Sequence, residues 1–138
     1  MFRIGRITIL VADLDASSRF YREAFGLGVL FDDEVAPGRR TVHLGSQGVA
    51  GPGIWLLRAD GAAAEHVGRQ VGGAPALVLY CDDLEAGLER ARAAGARVVK
   101  PFVRGGDAAF AHVLDDSGNE IVLAQLGPLD ADNHLLVG

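Results

Sequence analysis

A single cysteine among 138 residues excludes an internal disulfide framework and fits a reducing cytoplasm. That thiol, Cys81, ends an apolar stretch and reads as a small core residue rather than a nucleophile. Positive charge is also scarce. Thirteen Lys and Arg face eighteen Asp and Glu, for a formal charge of −5. The basic residues are scattered, with no cluster longer than Arg39-Arg40, which argues against a nucleic-acid partner. No apolar run approaches the roughly 18 residues of a membrane span. The opening Met1-Phe2-Arg3-Ile4-Gly5-Arg6 lacks the long apolar core of a signal peptide. A cytoplasmic protein that neither enters a membrane nor binds nucleic acid is expected. What remains is 49% hydrophobic and 22% charged, with mean hydropathy +0.22, enough to fill a core. The length suits one domain or two small fused modules.

One design occurs twice. Ile7, Ile9 and Val11 alternate with Thr8, Leu10 and Ala12, the period of a strand. Asp13 follows at a helix N-cap position; Leu14, Ser18, Tyr21 and Phe25 form a helical face, and Gly26 a stop. The stretch from Leu77 to Cys81 then repeats the strand, Asp83 the cap, Leu84, Leu88 and Ala91 the face, and Gly95 the stop. Asp83 lies 70 residues after Asp13, and Gly95 lies 69 after Gly26. A strand follows each stop: Val29-Leu30-Phe31 in the first copy, Val98-Val99 in the second. Two units at one spacing are an internal repeat.

Read in order, strands are expected over 2–11, 29–34, 39–45, 54–58, 76–81, 97–103, 108–114 and 120–126, with helices over 13–25 and 84–94. Pro101 inside the sixth strand suits an edge or a bulge. Pro37-Gly38 and Asp115-Asp116-Ser117-Gly118-Asn119 are turns, and 46–53 is a loop. Each half is therefore βαβββ: a first module over about 2–58, a Gly/Ala-rich linker over 59–75, a second module over about 76–126, and an irregular tail over 127–138. All 138 residues then make a single domain of class α+β.

Val11-x-Asp13-Leu14-x-x-Ser17-x-x-Phe20-Tyr21 followed by Gly26-Leu27-Gly28 resembles the opening of the vicinal oxygen chelate superfamily. This group includes glyoxalase I, extradiol dioxygenases, and fosfomycin- and bleomycin-resistance proteins. Asp82-Asp83-Leu84, Ala94-Gly95-Ala96-Arg97-Val98, Pro101 and Asp115-x-x-Gly118-Asn119-x-Ile121-x-Leu123 extend the likeness over about residues 3–125. Asp116 departs from it, because the family's turn carries proline there. The resemblance implies two tandem βαβββ modules forming an open, cup-like mixed sheet with helices outside. It implies a cavity inside the cup, often completed by a second subunit in a homodimer.

Metal-dependent members place one His, Glu or Gln ligand on each of four inward strand positions. Counted from the shared motifs, those positions here hold Arg6, Trp55, Ala76 and Val122. Arg is a permanent cation without a lone pair to give, and the other three have no donor suited to a divalent ion. The expectation is no metal and no cofactor, as in the bleomycin-resistance branch. The histidines are His43, His66, His112 and His134. Glu65-His66 is too short to be a motif, and the face taken by His43 is left open.

Emptied of ligands, the cup becomes a mostly apolar small-molecule pocket with a few polar points. Its expected lining is Arg6, Thr8, Trp55, Tyr80, Phe110, His112 and Val122. Trp55 offers a stacking surface, Tyr80 a ring with a hydroxyl, and Arg6 a charge suited to an anionic or aromatic ligand. The bland reading is that Trp55 and Phe110 fill a closed core. No nucleophile–base pair and no phosphate-binding loop is visible, so no catalytic residue is assigned. The first expectation is a small-molecule-binding protein that sequesters an antibiotic or another hydrophobic or anionic metabolite. Bleomycin itself is cationic, and Arg6 would oppose it. The alternative is a lyase, isomerase or dioxygenase-type enzyme with relocated metal ligands or metal-free acid–base chemistry at His112 or Tyr80.

Overall fold

The computed structural model describes residues 1–46, 51–105 and 108–127. Its first half runs β1 (Arg6–Val11), α1 (Leu14–Phe25), β2 (Gly28–Ala36), β3 (Arg39–Gly45) and β4 (Gly53–Arg58). A 3-10 turn at Gly61–His66 precedes β5 (Leu77–Tyr80), α2 (Leu84–Ala93), β6 (Arg97–Gly105), β7 (Ala108–Leu114) and β8 (Glu120–Gln125). The strands form two four-stranded sheets with the same plan, β1-β4-β3-β2 and β5-β8-β7-β6. In each, the strand before the helix runs parallel to its neighbour, and the remaining pairs are antiparallel. The fold is the expected pair of βαβββ modules.

The helix ends follow from their caps. The Asp13 carboxylate accepts the Ala16 N–H at 3.0 Å, and the Asp83 carboxylate accepts that of Ala86 at 3.1 Å. Gly26 closes α1 at φ 69°, a left-handed conformation that costs glycine nothing. The core then follows strand alternation. Ile9, Val11, Val42, Leu44, Ile54 and Leu56 turn one face of the first sheet onto Leu14, Phe20, Tyr21 and Ala24 of α1. Ala111, Val113, Ile121 and Leu123 do the same for Leu84, Leu88 and Ala91 of α2. These residues make one buried cluster, and the helices meet where the Arg90 Nε–H donates to the Glu23 carbonyl at 2.8 Å.

Polar contacts tie the β7–β8 turn to the first module. Tyr21 is fully buried, and its hydroxyl donates to Asp115 Oδ2 at 2.7 Å. Asn119 Nδ2 donates to the Leu10 carbonyl at 3.0 Å and to Asp115 Oδ2 at 2.9 Å. Asp116, the departure from the family turn, accepts a 2.7 Å hydrogen bond from the buried Ser17 hydroxyl. Burial raises the Asp116 carboxyl above its usual range, against the lowering effect of the Ser17 bond. The linker contributes Gln70, whose side chain donates to the Thr8 carbonyl and accepts the Leu10 N–H. It thereby satisfies the free edge of β1.

Several boundaries differ from expectation. β1 starts at Arg6, not Phe2, because its pairing with β4 begins at Arg6 opposite Gly53, and Phe2 and Ile4 stay exposed. β2 extends from Gly28 to Ala36 by pairing along the length of β3. The linker contains a 3-10 turn at Gly61–His66. β6 continues through Pro101 to Gly105 with irregular register on both sides of Lys100, the bulge that proline suggests. The expected loop over 46–53 lies partly, and the tail almost wholly with His134, outside the described residues.

Candidate functional site

The face of the first sheet turned away from α1 carries one continuous row. Phe31 pairs with His43, His43 with Trp55, and Trp55 with Thr8, so the four side chains cross all four strands on one side. Arg6, two residues before Thr8, shares that side. Its guanidinium carbon lies 5.5 Å from the Phe31 ring centroid and 5.7 Å from that of Trp55. Among the described residues Arg6 forms no ion pair with a carboxylate.

His43 sits in this row at 1% exposure, and among the described residues neither of its ring nitrogens has a hydrogen-bond partner. Trp55 Nε1 and Thr41 Oγ1 are also buried without partners among the described residues. Leaving such a group unpaired costs roughly 1–3 kcal/mol, and three residues on this face are in that state. Burial, and secondarily the Arg6 charge, hold the His43 imidazole below its ordinary pKa of 6.5. The ring is neutral at physiological pH and carries one donor and one acceptor. Thr41 also borders a cavity of about 800 Å³ shared with Leu10, Leu57, Arg39, Arg58 and Asp60.

The second sheet presents its own open face. Lys100, His112, Val122 and Val78 form one row, and Val103, Phe110, Ala124 and Tyr80 the next. His112 Nδ1 lies 2.9 Å from Glu120 Oε2. Tyr80 is 72% exposed and Phe110 38%.

The seven expected lining residues thus fall into two groups. Arg6, Thr8 and Trp55 come together on the first sheet, and Tyr80, Phe110, His112 and Val122 on the second. No strand pairing joins the two groups. Three residues of the first face escaped the sequence reading: Phe31, Thr41 and His43. Alternation with Val42 and Leu44 would have found two of them. For Phe31 the signal was hidden, because an irregularity between Val29 and Phe31 shifts the strand's register. Of the four residues expected at metal-ligand positions, Arg6, Trp55, Ala76 and Val122, Ala76 packs partly against the core. Among the described residues no three His, Cys, Asp or Glu side chains gather into a metal-sized cluster, and no helix is long and apolar enough to cross a membrane.

Comparison with known proteins agrees with this architecture. The crystal structure of UcmS2 superposes with TM-score 0.76 at 26% identity, over 90% of this chain and 98% of that one. TnmS3, described as an antibiotic binding protein from Streptomyces sp. CB03234, gives TM-score 0.72 at 22% identity, over 92% and 98%. Glyoxalase I from Zea mays gives 0.71 at 20% identity, over 92% of this chain and 46% of that one. No curated protein matches at the level of sequence. A family model described as the Glyoxalase/Bleomycin resistance protein/Dioxygenase superfamily matches residues 3–123, and the chain belongs to that superfamily.

Proposed function

We propose that this protein binds a small hydrophobic or anionic molecule without the superfamily's metal centre. The observation that carries this is Arg6: a cation over two aromatic rings, with no carboxylate partner among the described residues; the family resemblance matches its position to that of a metal ligand. Its charge would repel a divalent cation, and Trp55, Ala76 and Val122 supply no lone pair to offset that repulsion. The donor set does not fit the ion. It suits a planar ligand held by stacking and by the guanidinium. Antibiotics are candidates, since TnmS3 shares the fold and is described as binding one. Sequestration of such a compound in the cytoplasm would confer resistance.

The seven residues Arg6, Thr8, Trp55, Tyr80, Phe110, His112 and Val122 are proposed to line the cup. Val78, Val103, Tyr80 and Phe110 leave apolar surface exposed on the second sheet. A second copy of the chain covering that surface would make the working form a homodimer. Thermal-shift measurement against a panel of planar aromatic acids, neutral aromatics and aromatic cations tests the binding reading. It predicts stabilisation by some members of the panel and loss of that stabilisation in Trp55→Ala. No stabilisation of the wild type by any member would favour a closed, structural core.

A second reading rests on His112 and Glu120. Their 2.9 Å contact orients the imidazole, and among the described residues Nε2 has no hydrogen-bond partner, as in a general base. This favours metal-free lyase or isomerase chemistry. Mass spectrometry of a bound compound after long incubation separates the readings. Unaltered ligand supports sequestration, and conversion that disappears in His112→Gln supports catalysis.

A further inference from the structure

The unpaired polar atoms on the first sheet specify more than an aromatic pocket. Trp55 Nε1–H can only donate, and Arg6 presents a fork of donors with no acceptor. Thr41 and the neutral His43 each add a donor and an acceptor. Among the described residues none of Trp55 Nε1, Thr41 Oγ1 or the His43 nitrogens has a protein partner. The one carboxylate in the adjoining row, Asp33 opposite Thr41, is exposed and accepts the Glu34 N–H instead. The face therefore has a surplus of donors and one uncompensated positive charge. What satisfies it must bring acceptor oxygens, negative charge and a flat apolar body. Phe31 and Trp55, the neighbours that flank His43 across the sheet, are only half-buried.

We propose that His43, Trp55 and Thr41 are the specificity-determining groups of this site, and that its ligand is a planar aromatic oxyanion, a carboxylate or a phenolate. The proposal rests on the small-molecule reading above and narrows it to one chemical class. The aromatic body stacks on the Phe31–Trp55 side of the row. The anionic oxygen takes the Arg6 and Trp55 N–H groups. His43 accepts from or donates to a second polar atom of the ligand, and Thr41 extends the same strip toward the neighbouring cavity.

The test is an NMR titration of the full chain with 2-naphthoate and, separately, with the uncharged 2-naphthamide. Trp55 is the sole tryptophan, so the single indole N–H resonance reports on this face alone. The proposal expects 2-naphthoate to saturate the indole N–H and His43 ring-nitrogen shifts, and to bind about tenfold or more tightly than the amide, the equivalent of about 1.4 kcal/mol. Trp55→Phe, which keeps a ring and deletes the N–H, and His43→Phe should each lower the ratio of 2-naphthoate to 2-naphthamide affinity. Should His43→Phe fail to fold, Trp55→Phe alone decides. Equal affinity for the two probes with an unmoved His43 would overturn this proposal and leave the aromatic pocket standing. Failure of both probes to bind would overturn the proposal together with the pocket reading.

Discussion

The His43 ring lies over Gly53 so closely that a Cβ on residue 53 would come 2.6 Å from Nε2 and 3.0 Å from Cδ2. The same Cβ would press on the Leu44 carbonyl oxygen, which is backbone and cannot swing aside. Gly53→Ala should therefore destabilise the protein by about 1–3 kcal/mol, the usual cost of overpacking. Urea denaturation followed by circular dichroism measures this, and an unchanged midpoint would show that both the ring and the Leu44 backbone give way.

Arg6 acts on His43 through its charge rather than through packing. Arg6→Met should cost no more than about 1 kcal/mol of stability, the scale of an exposed cation–π contact. It should also let the His43 pKa rise toward 6.5, because the Arg6 charge is the second cause of its depression. A ring-proton NMR titration of wild type and variant reads the shift directly. No rise would leave burial as the whole cause.

The same depression sets a pH dependence. The folded His43 binds a proton less tightly than the unfolded chain, whose imidazole titrates near 6.5. Its contribution is thus fully present above pH 6.5 and is lost as pH falls from there through the lower folded pKa. Thermal denaturation should show declining stability across that window, and His43→Phe should flatten the His43 part of the decline.

The turn that joins the modules offers two contrasting substitutions. Tyr21→Phe removes a buried hydroxyl that donates to Asp115, and should cost roughly 1.5–3 kcal/mol as a bond to a charged group. Asp116→Asn should act in the opposite sense. The folded Asp116 carboxyl has a raised pKa, so ionising it opposes folding as pH climbs above the ordinary 3.8. The amide can still accept from Ser17. At pH 7 the variant should gain a fraction of about 1 kcal/mol, because the group is partly solvated. The gain should shrink below pH 4. A variant less stable than wild type at both pH values would mean that Ser17 needs the charged acceptor.

Much of this architecture was legible from residue order because local signals and tertiary packing agree. Asp13 and Asp83 cap helices, Gly26 ends one, and the Ile9/Val11 parity places Arg6 and Thr8 on the open face. Legibility failed where partners rather than neighbours decide. β1 begins only where β4 starts to pair with it, at Arg6, and Phe31 reaches the His43 row only after a register shift that no alternation reveals. His43 is a different case, since Val42 and Leu44 fix its side. Its unpaired nitrogens, however, depend on what lies across the sheet, and that is a property of the folded chain alone.

Elemental analysis of protein purified without chelators tests most directly whether this scaffold takes an organic ligand without a metal ion. The account predicts far less than one equivalent of any transition metal or magnesium per chain, with no thermal stabilisation on adding zinc, nickel, manganese or magnesium. One tightly held equivalent, lost together with thermal stability on chelation, would contradict it.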